Sequence, residues 1–467
     1  MLMEFKDFYD RYNNEDITTI TEVVKEAFSE PLSKAIYEEY DVAEVALEFL
    51  GHHESAKKYQ EIEDFYQLLM EHNQELFLEN KEYYIEVLMK YHCAQGNREK
   101  VLGYLQDLLS FGYQNYDILL LIIYYALFYG YIEQVDELIE HLYDKIKNDE
   151  ELIEGATIDF TLFKFSIELE KLYHAQAKSS DTLNWEPFRE KMASYDFELI
   201  EAFRQAIEQG LLYTGDNVQE DFLSTFPENK QAILGALQLV FMKYIHQQGC
   251  SFVVSAMIWN ALLKYWVENE ANDWESFFQF EEDRFTDFLR DQGGVMIDYR
   301  HMIANILWGS AYVVEFLHHT QLFDEALYQT QMQTINTVKS SFKEAYNIDL
   351  WQYNFVLNWT APNDALATAQ EEDKKLFAGS FELTGEDQNE VLFGKPQDFL
   401  PKPSDIWGDG GMNLPPIAPS KPKVERRSHN YKRNERVTVR YQDGTIKEKV
   451  KFKTIQDDFE LGACEVV

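Results

Sequence analysis

The chain has 467 residues, of which 45% are hydrophobic and 15% aromatic, a composition that supplies a large core and excludes a disordered protein. Its 82 acidic and 42 basic side chains give a net charge of −40, which disfavours nucleic acid and anionic membranes as partners. Glycine and proline number only 21 and 11, which disfavours an all-β fold with many turns.

The cysteines and the apolar runs predict a cytoplasmic protein. Cys93, Cys250 and Cys464 are too far apart for a metal or redox motif, and an odd number does not make a disulfide framework. The first residues lack a basic segment followed by an apolar one, so we expect no secretory signal. The longest apolar run, residues 118–132, is shorter than the roughly 20 residues that span a bilayer. It predicts a buried helix and no membrane span.

Residues 1–375 are predicted to form an α-helical body. Apolar residues recur at spacings of three and four, as in Val135, Leu138, Ile139 and Leu142. Prolines are rare before residue 396, so helices are seldom interrupted. Residues 150–300 are helical by the same pattern, and they either continue a repeat array or form a separate bundle.

One pattern in this body repeats after 34 residues. The first copy is Tyr91, Gly96, Glu99, Val101 and Leu108, and the second is Tyr125, Gly130, Glu133, Val135 and Leu142. Gly96 and Gly130 are predicted to form the turns between paired helices, because a helix C-terminus favours a left-handed residue there. Over residues 81–146 the chain resembles tetratricopeptide repeats. The resemblance implies an irregular α-solenoid with an extended surface for another protein or a peptide.

Two weaker units flank this pair. One surrounds Gly51, which we expect at a turn between helices. The other covers residues 311–327, where Asp324 is expected to begin a second repeat helix.

The composition changes towards the C-terminus. Residues 376–430 contain most of the prolines and a Gly-Asp-Gly-Gly sequence, and they are predicted to be a linker. Residues 431–467 are predicted to form a small β module. Its two alternating segments, 437–441 and 446–452, flank an Asp-Gly pair that favours a hairpin, and residues 463–467 are a candidate third strand.

The β module is the candidate binding site. Residues 421–453 carry 12 basic and 4 acidic side chains, a net charge of +8, which leaves −48 on the rest of the chain. Strict alternation predicts a basic face on the hairpin made of Arg436, Arg440, Lys447, Lys449, Lys451 and Lys453. This face is expected to bind an acidic partner protein or to dock on the acidic helical body of the same chain, and RNA or a phosphate-bearing ligand is the remaining alternative.

The same segment has a second interpretation. The run from Lys432 to Lys447, followed by residues 451–458 and 462–467, resembles the C-terminal tails of some bacterial SecA-type translocation ATPases. The resemblance implies a tail that is shared between proteins and docks on a common partner. The cysteine-rich zinc motif of such tails is absent, so no metal is implied.

No catalytic motif stands out, and we predict no cofactor and no metal site. The sequence contains no P-loop, no Gly-x-Ser-x-Gly and no His-Glu-x-x-His. Glu315-x-x-His318 has the spacing of a carboxylate-bridged metal site but has no second copy. We therefore predict a non-enzymatic interaction scaffold. The alternatives are an enzyme, for example a carbohydrate-active one, with carboxylate acid and base residues in a helical cleft, and a factor associated with protein translocation.

Overall fold

The computed structural model describes residues 17–33, 36, 42–150, 152–153, 155–176, 183–215, 230–268, 273–293, 299–383, 436–441, 446–451 and 464–466, and isolated residues at 218, 220, 223, 226, 271 and 459. These residues are mostly α-helical, with a small three-stranded antiparallel sheet, which confirms the predicted class of fold. The chain divides into two compact units, residues 1–81 with 389–467 and residues 82–388. The predicted linker, 376–430, lies outside the described residues from position 384 onwards.

The helical part of the first unit is built around α3. Its helices are α1 (Ile17–Phe28), α2 (Val42–Ser55), α3 (Tyr59–His72) and the first part of α4 (Gln74–Ala94). Both α1 and α2 pack against α3. The ring of Phe65 on α3 lies 5.2 Å from that of Phe28 and 4.5 Å from that of Phe49, so one aromatic side chain joins the three helices.

The expected turn at Gly51 is wrong. Gly51 lies inside α2, which continues to Ser55, and the turn that follows places Lys57 at a φ of +53°. Gly51 does not have a positive φ, and a β-carbon built on it would meet nothing within 4 Å outside its own stretch of helix, so neither a turn nor a close contact requires glycine there.

Every regular element among the described residues of the second unit is a helix. Its elements after α4 are α5 (Arg98–Phe111), α6 (Tyr116–Phe128), α7 (Ile132–Lys147), α8 (Ile158–Gln176), α9 (Trp185–Ala193), α10 (Glu201–Leu212), α11 (Lys230–His246), α12 (Phe252–Val267), α13 (Trp274–Phe277), α14 (Glu282–Gln292), α15 (Arg300–His319), α16 (Glu325–Ala345), a 3₁₀ helix (Leu350–Leu357) and α17 (Asp364–Ser380). Helix α17 crosses the boundary expected at residue 375, so the helical body is longer than predicted.

The two predicted turn glycines end their helices in the same way. Gly96 and Gly130 have φ angles of +69° and +82°. After each glycine, the next amide reaches back five residues, from Asn97 to the carbonyl of His92 and from Tyr131 to that of Ala126, both at 2.9 Å. This Schellman arrangement satisfies carbonyls at the helix end and requires a left-handed residue. Gly96 thus lies in the turn between α4 and α5, and Gly130 in the turn between α6 and α7.

Helix α15 forms the centre of the second unit. Fifteen of its 20 residues are buried, and it packs against α11, α12, α14 and α16. Such burial on all sides is possible because its sequence, from Ile303 to Leu317, is almost wholly apolar or small. Where α15 meets α12, Gly309 allows the two helices to approach closely. The turn after it leads to Asp324, whose carboxylate accepts a hydrogen bond from the amide of Leu327 at 2.8 Å and caps α16 as expected.

The 3₁₀ helix contacts the C-terminal ends of α4 and α6. The side-chain amide of Asn354 donates to the carbonyl of Ala94 at 2.8 Å, at the end of α4. The hydroxyl of Tyr129, after α6, donates to Oδ1 of Asn354 at 2.5 Å. Residue 354 therefore fixes the C-terminal ends of two helices that lie more than 200 residues earlier in the chain.

The structure also shows the helix that was predicted to be buried and the three cysteines. The apolar run begins in α6, where nine of 13 residues are buried. Among the described residues, no helix combines the length and the apolarity needed to cross a membrane. The three cysteines, all of which the structure describes, are buried, and no disulfide joins them.

Candidate functional site

An apolar groove of about 750 Å³ opens in the second unit between α8, α10, α11 and α12. Its apolar lining includes Leu162, Phe165, Phe197, Ile200, Phe203 and Met242. We call this feature the apolar groove. Polar side chains also line it, and the side-chain amide of Gln238 donates to that of Asn260 at 3.0 Å across two of the helices.

The wall of the apolar groove depends on the close approach of α10 and α11. A β-carbon on Gly210 would lie 2.7 Å from both the carbonyl oxygen of Ala236 and Cβ of Leu239, so only glycine fits there. Nearby, the ammonium of Lys243 donates to the carbonyls of Gly210, Leu211 and Tyr213 at 3.3, 2.7 and 2.6 Å. Burial lowers the pKa of Lys243 to about 8. The lysine caps the last turn of α10, because these carbonyls have no partner within the helix.

The mouth of the apolar groove exposes large apolar side chains. Leu162, Ile200 and Phe203 are 50%, 59% and 39% exposed. Inside, the ring of Phe165 stacks on that of Phe203 at 5.7 Å and meets that of Phe197 at 5.1 Å. A contiguous exposed apolar patch bounded by polar residues is typical of a surface that binds another molecule.

The predicted basic face belongs to the three-stranded sheet of the first unit. Its strands are β1 (Arg436–Tyr441), β2 (Ile446–Lys451) and β3 (Cys464–Val466), in the order β2-β1-β3 and all antiparallel. The predicted hairpin and the predicted third strand are therefore both present. Val439 and Cys464 are buried, and Tyr441, Phe459 and Val466 pack against them.

The composition of the basic face is corrected by the strand register. Arg436 lies opposite Lys451, but the pairing then shifts by one residue, because β2 has one more residue between 450 and 447 than β1 has between Val437 and Val439. Beyond the bulge, Lys447 lies opposite Val439 and the exposed Arg440 lies opposite Ile446. Directly opposed residues share a face of the sheet, so Arg440 and Lys447 lie on opposite faces.

Contacts of these two side chains agree with the register. The ammonium of Lys447 lies 4.9 Å from the ring centroid of Tyr441, on the face that carries Val439. The guanidinium of Arg440 lies 3.7 Å from the carboxylate of Glu465 on β3, an exposed pair that contributes little stability. Strict alternation failed here because one bulge residue inverts every later position. The described part of the chain does not include Lys453, nor does it include the side chains of Arg436, Lys449 and Lys451.

A polar cleft of about 710 Å³ lies elsewhere in the second unit. Its lining includes Arg98, Glu133, Asp136, Glu170, Lys171 and His174, together with the turn residue Gly130. We call this feature the polar cleft. Among the described residues, one group has the geometry to hold a metal ion, namely Glu170, His174 and His246.

The glutamate–histidine pair considered from sequence is engaged elsewhere. The carboxylate of Glu315 accepts from the side-chain amide of Asn363 at 2.7 Å. The ring of His318 stacks on Tyr328 at 4.4 Å, and its Nε2 lies 3.3 Å from the carboxylate of Glu325. These contacts serve the junction of α15, α16 and α17.

Sequence reasoning missed the apolar groove and the group around Glu170. The lining of the groove comes from segments about 100 residues apart, which no local pattern joins. A partial signal was present in the spacing of Phe197, Ile200, Phe203 and Ile207, which is that of an apolar helix face. His246 lies 72 residues after His174, so metal-ligand spacing could not reveal it.

Comparison with known proteins gives one short similarity. A stretch of 32 residues is 66% identical to the protein translocase subunit SecA of Amoebophilus asiaticus, which agrees with the resemblance of the C-terminal segment. The match covers 7% of this chain and 3% of that protein. No protein-family model matches the chain, and no solved structure matches it.

Proposed function

We propose that this protein is a non-enzymatic interaction scaffold whose apolar groove binds an amphipathic segment of another protein. The observation that carries the proposal is the exposure of Leu162, Ile200 and Phe203 in a groove that polar side chains also line. A helix presenting an apolar face is the kind of ligand such grooves take. Covering these side chains would remove apolar surface from water, which favours association at about 25 cal/mol per Å².

The negative charge of this protein indicates which residues the partner segment carries on the side that faces away from the groove. The exposed carboxylate of Glu198 lines the apolar groove. The chain outside residues 421–453 carries a net charge of −48. The preferred ligand is therefore apolar on one side and basic on the other, since opposite charge speeds association and excludes acidic competitors.

The architecture around the groove is proposed to be an irregular α-solenoid related to tetratricopeptide repeats. The two consecutive glycine turns, with matching backbone hydrogen bonds 34 residues apart, support it. Stacked helix pairs of this type expose extended surfaces, and the scaffold function follows from that geometry.

The β module is proposed to dock on a partner that it shares with the translocase subunit. The supporting observation is the 32-residue match, which covers a negligible part of SecA and so points to the tail alone. The cellular process that this match suggests for the protein is protein translocation. Docking of the basic module on the acidic body of the same chain is the alternative use of the same charges.

A cross-linking experiment tests the groove. A photoreactive amino acid replaces Gln238, which lines the groove, in the full-length chain. In a control it replaces Leu376, a 45% exposed apolar residue outside the groove. We expect cross-links to one partner, through an amphipathic basic segment, from position 238 alone. The same products from both positions would contradict the proposal. Cross-links to residues 421–453 of the same chain would support self-docking instead.

A chimera tests the β module. Residues 432–467 are exchanged for the SecA tail, or deleted, in the full-length chain. Partners that depend on the β module should be kept by the chimera and lost on deletion. A chimera that behaves like the deletion would show that the similarity does not extend to binding.

An enzyme is the second candidate function, and the polar cleft favours it. Three carboxylates, those of Glu133, Asp136 and Glu170, line one cavity. A glycoside hydrolase needs two such carboxylates on either side of the bond that it cleaves. Asp136, however, is held by the ammonium groups of Lys164 and Lys171 at 2.5 and 2.7 Å. This alternative would be established if the protein hydrolysed a glycoside and if Glu133→Gln and Glu170→Gln each abolished that hydrolysis.

A further inference from the structure

Three potential metal ligands converge where the C-terminal ends of α8 and α11 meet. Glu170 and His174 lie one turn apart on α8, and His246 is the last residue of α11. One ligand atom from each residue lies within 4.8 Å of the other two. The rings of His174 and His246 are 5.0 Å apart between centroids and steeply inclined to each other.

Hydrogen bonds to the backbone orient two of the three ligands. Nδ1 of His246 lies 3.1 Å from the carbonyl oxygen of Cys250. Because a carbonyl only accepts, Nδ1 donates this hydrogen bond, and Nε2 is the ring nitrogen that remains for a metal ion. Oε2 of Glu170 accepts from the amide of Phe252 at 2.7 Å, and Oε1 lies 3.8 Å from Nε2 of His174. Carbonyl and amide partners of this kind orient the histidine and carboxylate ligands of metal sites.

The surroundings leave room for a cation and for a further ligand. The ammonium of Lys171, the nearest cation in sequence, is held at 2.7 Å by Asp136 and at 2.8 Å by Glu168. The side chain of His174 is 52% exposed, so its ring can turn to close the distance to the other two ligands. Glu170 and His174 also line the polar cleft, where water would complete the coordination.

We propose that Glu170, His174 and His246 bind one transition-metal ion of the Zn²⁺ class. Two imidazoles and one carboxylate form a recognised three-ligand set for zinc, in which the fourth position stays open. Metal–ligand distances of about 2.0–2.2 Å require the three ligand atoms to lie closer together than the 4.8 Å within which they now fall. The open position faces the polar cleft. The site is separate from the apolar groove, so the proposed scaffold function does not depend on it.

Cobalt titration of the full-length chain, after chelator treatment, tests this site. Co²⁺ reports coordination directly through visible absorption, and Zn²⁺ should displace it at one equivalent. We expect His246→Ala and Glu170→Gln each to weaken Co²⁺ binding at least tenfold. Glu170→Gln keeps an acceptor for the amide of Phe252, so the fold, checked by circular dichroism, should be preserved.

A matched histidine provides the control. His141 is an exposed histidine on α7 outside the group, and His141→Ala should bind Co²⁺ like the parent chain. Equal binding by the parent and the triple variant Glu170→Gln/His174→Ala/His246→Ala would overturn the proposal. So would weak binding of several equivalents without visible absorption, because it would identify adventitious ions on an acidic surface only.

Discussion

Gly309 faces Ile258 so closely that a β-carbon on Gly309 would lie 2.6 Å from Cδ1 of that isoleucine. Both residues are buried, Gly309 in α15 and Ile258 in α12, so no solvent space relieves the contact. The glycine therefore sets the distance between the central helix of the second unit and one of its main neighbours.

Gly309→Ala should destabilise the protein by about 1–3 kcal/mol, because overpacking forces helices or side chains to shift. Thermal and urea unfolding measure the effect. Gly103→Ala is the matched control: Gly103 lies inside α5, and a β-carbon added to it would meet no other atom within 4 Å. The control should stabilise by about 0.5–1 kcal/mol through helix propensity. A stabilised Gly309→Ala variant would contradict the packing argument.

Lys164→Met should be severely destabilising. Its side chain is fully buried, and its ammonium lies 2.5, 2.7 and 3.0 Å from the carboxylates of Asp136, Glu140 and Glu168. Burial acts to lower the pKa of Lys164, but hydrogen bonds to these carboxylates raise it overall. Removing this buried ammonium leaves three clustered carboxylates balanced only by the partly exposed Lys171 and Lys191, at a cost of about 3–5 kcal/mol in the free energy of unfolding.

The neighbouring lysine provides a control for that loss. Lys171 pairs with Asp136 and Glu168 but is 54% exposed. Lys171→Met should therefore cost less than about 1 kcal/mol. Similar losses in both variants, measured by urea unfolding, would show that burial of Lys164 does not decide the effect.

Glu140 should make stability depend on pH in the acidic range. Hydrogen bonds from Lys164 and Lys191 lower the pKa of Glu140 to about 2 from its usual 4.5. A pKa that is lower in the folded than in the unfolded state stabilises the protein above the unfolded value. That stability is lost as the pH falls from about 4.5 towards 2.

Comparison with Glu140→Gln isolates this contribution. The parent chain should be more stable at pH 7 by less than about 1 kcal/mol, since solvent screens a carboxylate that is 43% exposed. The difference in melting temperature should shrink below pH 4.5 and disappear near pH 2. A difference that is constant from pH 7 to pH 2 would exclude the ionic origin.

Lys339→Met should stabilise the protein at neutral pH. Burial lowers the pKa of Lys339 to about 8. Its ammonium lies 4.9 Å from the ring centroid of Trp308, while the nearby Asp373 already binds Lys343 at 2.9 Å. Charging this lysine in the folded state costs free energy, so removing it should gain on the order of 2 kcal/mol.

The pH dependence of the melting temperature tests the direction of this stability change independently. A lysine whose pKa is lower in the folded state than the usual 10.5 adds stability as the pH rises from about 8 to 10.5. The melting temperature of Lys339→Met relative to the parent should therefore fall over that range. If the variant is less stable than the parent at pH 7, the contact with Trp308 outweighs the cost of burial.

Local signals predicted the parts of the fold that local forces control. The glycines at 96 and 130 could be placed because a left-handed turn excludes most other residues. The Asp-Gly pair predicted the hairpin through the same preference. The face assignment of Lys447 failed, because the register depends on a bulge that the alternating pattern does not encode.

The sequence by itself determined the helical class, the two glycine turns and the strands of the β module, since periodicity and backbone preference act over a few neighbouring residues. Only the tertiary structure decided the apolar groove, the burial of Lys164 and the convergence of Glu170 with His246. Each of these brings together residues from different helices, often dozens of positions apart. Their meeting depends on how helices pack, as at Gly309 and Gly210, and packing is a property of the whole core.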